Sequence, residues 1–228
     1  MQKTLTAYLI LPLFVLTAAG CASYDRMPAP TYLPDEGRYI QSSEEPALKV
    51  GIKPLDDEAS QVDFFGQRLD KKLLPILIII DNRSKRGYEL SAQDIELMGA
   101  DGKSWTLVPF DELYKEYFKK SVWSRGVGGF FAGAAIAAGT FLILAPAIIV
   151  MPVMCALNTK DVNQTIQSDL RRVSASHQFV ADPGASSQAV AFFKYNKKSP
   201  LKGATLKLQN IHSLNSKDMP ANFTFQLT

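Results

Sequence analysis

Apolar and polar residues alternate with period two through most of the chain beyond residue 47, the pattern of strands buried on one face. In "ALKVGIK", Leu48, Val50 and Ile52 face one way while Lys49 and Lys53 face the other. "QVDFF" places Val62 and Phe64 in the same manner and predicts a short strand. "IELMGADGKSWTLV" predicts a hairpin: Ile95 and Leu97 alternate with polar partners, Asp101-Gly102 supplies the positive-φ turn, and Trp105 and Leu107 return on one face. "QFVADPGASSQAVAFFKY" predicts two strands around a Pro183-Gly184 turn. "ATLKLQNI" alternates Leu206 and Leu208 with Lys207 and Gln209, and "NFTFQL" sets Phe223, Phe225 and Leu227 on one side. About nine short strands of this kind suit an antiparallel sandwich.

One strand breaks the alternation. "LLPILIIIDN" is apolar on both faces from Ile76 to Ile80, so the outer face of its sheet needs a cover. Two amphipathic helices are available. "PFDELYKEYFKKSVW" aligns Phe110, Leu113, Tyr114, Tyr117 and Phe118, with Glu116 and Lys120 as an i,i+4 pair opposite. "TKDVNQTIQSDLRRVSA" aligns Val162, Ile166, Leu170 and Val173. At least one of them is expected to pack near the Ile76–Ile80 strand.

Between these helices no residue from 126 to 159 is charged. As one rod these residues would reach ~50 Å, well beyond a ~30 Å hydrocarbon core. Pro146 and Pro152 would also interrupt the rod. A single span would separate strands that read as halves of one sheet system. The flank "KKSVWSR" would also prefer the cytoplasm, against an exported N-terminus. A re-entrant helical hairpin, turning within Gly139–Pro146, removes these conflicts. Its first arm, "GVGGFFAGAAIAAG", carries Gly129-x-x-x-Gly133, a spacing that lets helix backbones approach closely. It resembles the glycine-zipper segments of some bacterial envelope lipoproteins. The residues expected to meet lipid or a partner are Gly129, Gly133 and Ile136, then Phe141, Ile143, Ile148 and Val150. The arms have three possible homes: the membrane, an interface with a partner or a second copy, or burial within the domain.

The N-terminus reads "MQKTLTAYLILPLFVLTAAGCAS". Lys3 gives a positive start, Thr4 to Ala19 is uncharged and mainly apolar, and small residues precede Cys21, the layout of a secretory signal peptide. "LTAAGC" resembles the small-residue box of bacterial lipoprotein precursors, with Ala18 where that family usually has Leu. The resemblance implies cleavage before Cys21 and diacylation of its thiol, so membrane lipid is an expected partner. Ala22, rather than Asp, resembles the sorting pattern for the outer membrane. Residues 22–46 contain four prolines and no clear period, and they read either as a tether or as an arm packed on the domain.

Totals narrow the function classes. The chain has 228 residues and a formal charge of +3, too small to argue for nucleic acid. Two cysteines, Cys21 and Cys155, and two histidines, His177 and His212, do not fill a zinc site of usual spacing. No G-x-S-x-G accompanies either histidine. Asp56–Glu58 lacks the alternating ligands of a calcium loop and reads as a solvated turn, and Arg171-Arg172 as the wet face of its helix. No catalytic, cofactor or metal site is expected.

"FFGQRL…LPILIIIDNRS…YEL…DIELMGADG" with "VADPG…AVAFFKY" looks like the immunoglobulin-like sandwich domains of uncharacterised bacterial lipoproteins. The expected fold is α+β: an immunoglobulin-like antiparallel sandwich interrupted by an apolar helical hairpin. The expected divisions are a signal peptide at 1–20, a lipidated tether at 21–46, sandwich at 47–108, the helical insert at 109–174, and sandwich again at 175–228. The expected role is a non-enzymatic, outer-membrane-anchored lipoprotein facing the periplasm and presenting its sandwich to envelope proteins. The alternatives are a subunit of an envelope assembly that self-associates through the hairpin, and a periplasmic hydrolase.

Overall fold

A computed structural model describes residues 27, 31–44, 46–66, 68–118, 160–176, 179–195, 200–214 and 219–228. One of two compact units, Arg26–Tyr117 with Ser168–Thr228, holds all ten described strands. Of the other, Met1–Asp25 with Phe118–Gln167, the described residues are Phe118 and helical residues 160–167. Cys21, Cys155, His177 and the seven expected hairpin residues (Gly129, Gly133, Ile136, Phe141, Ile143, Ile148 and Val150) lie outside the described residues.

The strands form two antiparallel sheets. β1 (Tyr39–Ser43), β2 (Leu48–Pro54), β3 (Leu73–Asn82) and β8 (Ser186–Lys194) make a four-stranded sheet in the order β1-β2-β3-β8. β6 (Ser104–Trp105), β5 (Ile95–Met98), β9 (Thr205–Ser213), β4 (Tyr88–Leu90) and β7 (Phe179–Ala181) make the second, with β10 (Ala221–Gln226) also on β9. A few helices complete an α+β fold dominated by strands. Alternate residues of both sheets enter one hydrophobic core, including Leu48, Val50, Ile52, Ile76, Ile78, Phe193, Leu206, Leu208, Phe223 and Phe225. The predicted hairpin forms at its predicted turn: Leu97 pairs with Trp105, and Gly102 takes φ 77°.

Pro183-Gly184 does join two strands, and Gly184 takes φ 67°. However, β7 and β8 lie in different sheets, so this turn crosses between layers. The β3–β4 connection crosses too, and Asn82 joins the two crossings. Its fully buried amide donates to Arg86 O (2.6 Å) and to Ala181 O (2.9 Å). Its carbonyl accepts from Ser84 N (3.0 Å) and Ser84 Oγ (2.7 Å). A residue from the four-stranded sheet thus satisfies polar groups of both corners, where an unpaired buried group would be costly.

Two expectations need correction. "QVDFF" is not a strand but the end of a helix, Glu58–Phe65. Asp57 caps it by accepting from Ser60 N (2.8 Å), and Gly66 ends it at φ 69° with its N–H on Val62 O (2.8 Å). Gln61, Phe64 and Phe65 are its buried residues, an i, i+3, i+4 set, while Val62 is 46% exposed. Of the two readings of residues 22–46, the tether fails for its C-terminal part and the packed arm holds: this part contains β1, which pairs with β2 from Tyr39↔Ile52 to Ser43↔Leu48. β1 also reaches the other sheet: the Gln41 amide donates to Thr224 O (2.6 Å) and accepts from Thr224 N (3.3 Å). Tyr39 Oη accepts from Thr228 N (2.7 Å) and donates to Thr228 O (3.0 Å).

Replacing Asn82 with Ala is expected to destabilise the domain by about 1–3 kcal/mol, because the carbonyls at both corners each lose one donor, Arg86 O keeping Ser84 Oγ (3.0 Å). Urea unfolding checks this: the midpoint should fall with little change in slope.

Candidate functional site

β3 inherits a problem from its sequence. Its residues Leu74, Ile76, Ile78 and Ile80 enter the shared core, yet Leu77 and Ile79, on the other face, are also fully buried. The cover comes from three places. The Glu58–Phe65 helix brings Phe64 and Phe65; the Phe65 ring lies 5.8 Å from that of Phe192 on β8. The N-terminal arm brings Tyr32, whose ring stacks 6.2 Å from Phe64. The two predicted amphipathic segments bring Phe110, Leu113, Leu170 and Val173, all buried.

Both of those segments are tied to the free edge of β8. Thr106–Val108 runs antiparallel to it, with Leu107 bridged to Phe193 and Val108 N donating to Phe192 O (2.7 Å). Phe110–Glu112 follows as a short helix that continues with π-helical pairing through Leu113–Phe118. Glu112 meets Lys194 at 2.7 Å. The return, after helical residues 160–173, is again on β8: Ser174 bridges Val190, and Ala175 N donates to Val190 O (2.8 Å). Phe193 and Val190 are three residues apart on one strand, roughly 10 Å. The segments that lead towards and back from the uncharged run are therefore anchored at neighbouring points of one strand.

The arm docks beside that point. Met27 is buried; its N–H donates to Asp169 Oδ2 (3.2 Å) and its carbonyl accepts from Arg172 Nη2 (3.2 Å). Arg171 lies over the Phe110 ring, 5.4 Å from its centroid. The arginine pair expected on a wet face is thus engaged, one with the arm and one with the other segment. Tyr32 donates from its N–H to Gln188 Oε1 (2.9 Å) and from its hydroxyl to Asp63 Oδ2 (2.8 Å), with Lys53 Nζ 4.7 Å from the ring centroid. Burial, aided by the hydrogen bond and the charge of Asp63, pushes the Tyr32 hydroxyl up to about 12. Pro34 crosses β2 at Gly51, where a Cβ would lie 2.4 Å from Pro34 O. Only glycine admits the arm so close. Lys49 and Asp35 pair beside it.

The remaining chemistry is dispersed. The "DDE" run is exposed, as a solvated turn should be, and its carboxylates have partners: Asp56 meets Arg38 (3.8 Å), Asp57 caps the helix and Glu58 meets Arg68 (2.7 Å). Asp56, Glu58 and Arg68 also line a cleft of about 330 Å³ with Asp70, Lys71 and Tyr195. His212 is exposed, its Nδ1 2.9 Å from Asn210 O and its Nε2 4.0 Å from Glu89. Among the described residues no group of three or more His, Cys, Asp or Glu is placed to hold a metal. Among them, too, no helix is long and apolar enough to cross a membrane.

No family model and no curated protein matches this sequence. A solved structure of a functionally unknown protein from Listeria monocytogenes EGD-e is similar at 14% identity and a TM-score of 0.38, over 92% of this chain and 91% of that one. That likeness is too slight to carry an argument about either fold or role.

The docked arm makes a pH-dependent prediction. Unfolded, Tyr32 ionises near 10; folded, near 12. Its contribution is complete below pH 10 and is lost as pH rises from 10 to 12, because only the unfolded chain releases the proton there. Absorbance titration should show a tyrosine ionising near 12 that is absent in Tyr32→Phe. In Gly51→Ala the added methyl should lift the arm and return that tyrosine towards 10.

Proposed function

We propose that this protein is a non-enzymatic lipoprotein of the bacterial envelope. It is held in the outer membrane by acyl chains on Cys21 and faces the periplasm. Its two sheets serve as an immunoglobulin-like sandwich for envelope protein partners, and residues 126–159 dip into the same bilayer as a hairpin. The observation that carries this reading is the pairing across the apolar segment. β3, before it, pairs with β8, after it, over nine residue pairs from Leu73↔Lys194 to Asp81↔Ser186. β5 pairs with β9 likewise. Strands joined by hydrogen bonds share one compartment, so residues between them cross a bilayer an even number of times or not at all. The flanking segments are both anchored on one edge of β8, which favours a hairpin. The signal-like N-terminus and the "LTAAGC" box supply the anchor.

Mass spectrometry of the mature chain should find an N-terminal, acylated Cys21. A free thiol there, or a different N-terminus, overturns the lipoprotein reading. The hairpin is tested by alkaline-carbonate extraction of a chain exported through an ordinary cleavable signal and starting at Ala22. Retention in membranes is expected. Release as a multimer would instead make the Gly/Ala segment an assembly surface, and release as a monomer would bury it in the domain.

A further inference from the structure

β1 ends the four-stranded sheet, and its β2 neighbour shows which way its backbone points. Arg83 N donates to Ala47 O and Leu55 N to Pro75 O (both 2.9 Å), so the odd-numbered residues of β2 bond β3. Leu48, Val50 and Ile52 therefore bond β1, through Ser43, Gln41 and Tyr39. Ile40 and Ser42 turn their N–H and C=O groups the other way, where no described strand pairs with them. Exposed edges are commonly guarded by Lys, Pro or a bulge. "YIQSS" has no charge and no Pro, and its pairing with β2 is regular. Charge stands only at its two ends, as Arg38 and Glu44. Both are exposed, and Arg38 meets Asp56 only at 3.8 Å.

This edge is complementary to itself. An antiparallel copy of the strand, turned about Gln41, sets Ile40 against Ser42 and Arg38 against Glu44, on both sides of the centre. Ile40 and Ser42 are in the outward-facing register, so each such pair exchanges both of its backbone hydrogen bonds. Opposite charges then face each other across the strands at both ends, and the two Ile40 side chains, 43% exposed in one copy, become diagonal neighbours. A slip of two residues loses both charge pairs. We infer that β1 is a docking edge for a second copy of this chain, the two strands pairing antiparallel about Gln41 and joining two four-stranded sheets into one. The contact is isologous and closes at two copies. The sheet's other edge, on β8, is already taken by Thr106–Val108 and Ser174–Ala175.

Two differently tagged copies of the full-length chain, co-expressed and extracted in mild detergent, test this. Wild-type copies should retain each other. Arg38→Glu with itself, or Glu44→Arg with itself, puts like charges at both ends, and recovery should fall at least five-fold. Arg38→Glu mixed with Glu44→Arg restores opposite charges at both ends, and recovery should return to within two-fold of wild type. That rescue also shows that both variants fold. Ser42→Pro removes an outward N–H and leaves the β1–β2 ladder intact, so it should lower recovery as the single reversals do. Wild-type copies that do not retain each other overturn the proposal. Recovery that survives the reversals and Ser42→Pro overturns it too, and places the association elsewhere, the apolar run included. Loss without rescue, in variants whose urea midpoints match wild type, also overturns it; where a reversal lowers the midpoint, Ser42→Pro decides.

Discussion

A strand that is apolar on both faces cannot stand at the surface of a two-layer protein. Leu77 and Ile79 would each forgo about 1.5–3 kcal/mol if their side of the sheet met water. That requirement organises the molecule. It is met by aromatic side chains from a helix, by a tyrosine from the N-terminal arm and by apolar residues from both segments that flank the long uncharged run. The cover is therefore assembled from pieces far apart in sequence.

Much of the β structure was legible because its signals are local. Asp101-Gly102 sets a turn by backbone conformation alone, and the alternation of Leu206 and Leu208 with the polar Thr205, Lys207 and Gln209 is visible within five residues. The double burial of Ile76–Ile80 correctly demanded a cover. The helix at Glu58–Phe65 was misread because Val62 and Phe64 happen to alternate over a window too short to show a 3.6 period. Its true markers were the ends: Asp57 three residues before Ser60, and Gly66 after two phenylalanines. β1 was hidden because an edge strand facing solvent has no apolar stripe; Ile40 is its one large aliphatic residue and is 43% exposed. The arm was legible only as an alternative. Tyr32 suggested packing, but nothing in the sequence marks Gly51 as its landing place or pairs Met27 with residues 142 and 145 positions away.

The uncharged run is tolerated for a topological reason. A segment that departs and rejoins at neighbouring points of one strand leaves the hydrogen-bond ladders on either side uninterrupted, and closing so long a loop adds cost only logarithmically with length. The sheets can thus fold around the insertion with their own register intact.

Gln41 has a different kind of reach. A primary amide offers one N–H and one carbonyl in nearly the arrangement of a peptide group, and here both engage Thr224 as a neighbouring strand would. The rim of β10 is thereby terminated by a single side chain. A foreign strand seeking to extend that ladder must first displace two contacts before gaining any, which raises the barrier to polymer growth without adding a residue to the sheet.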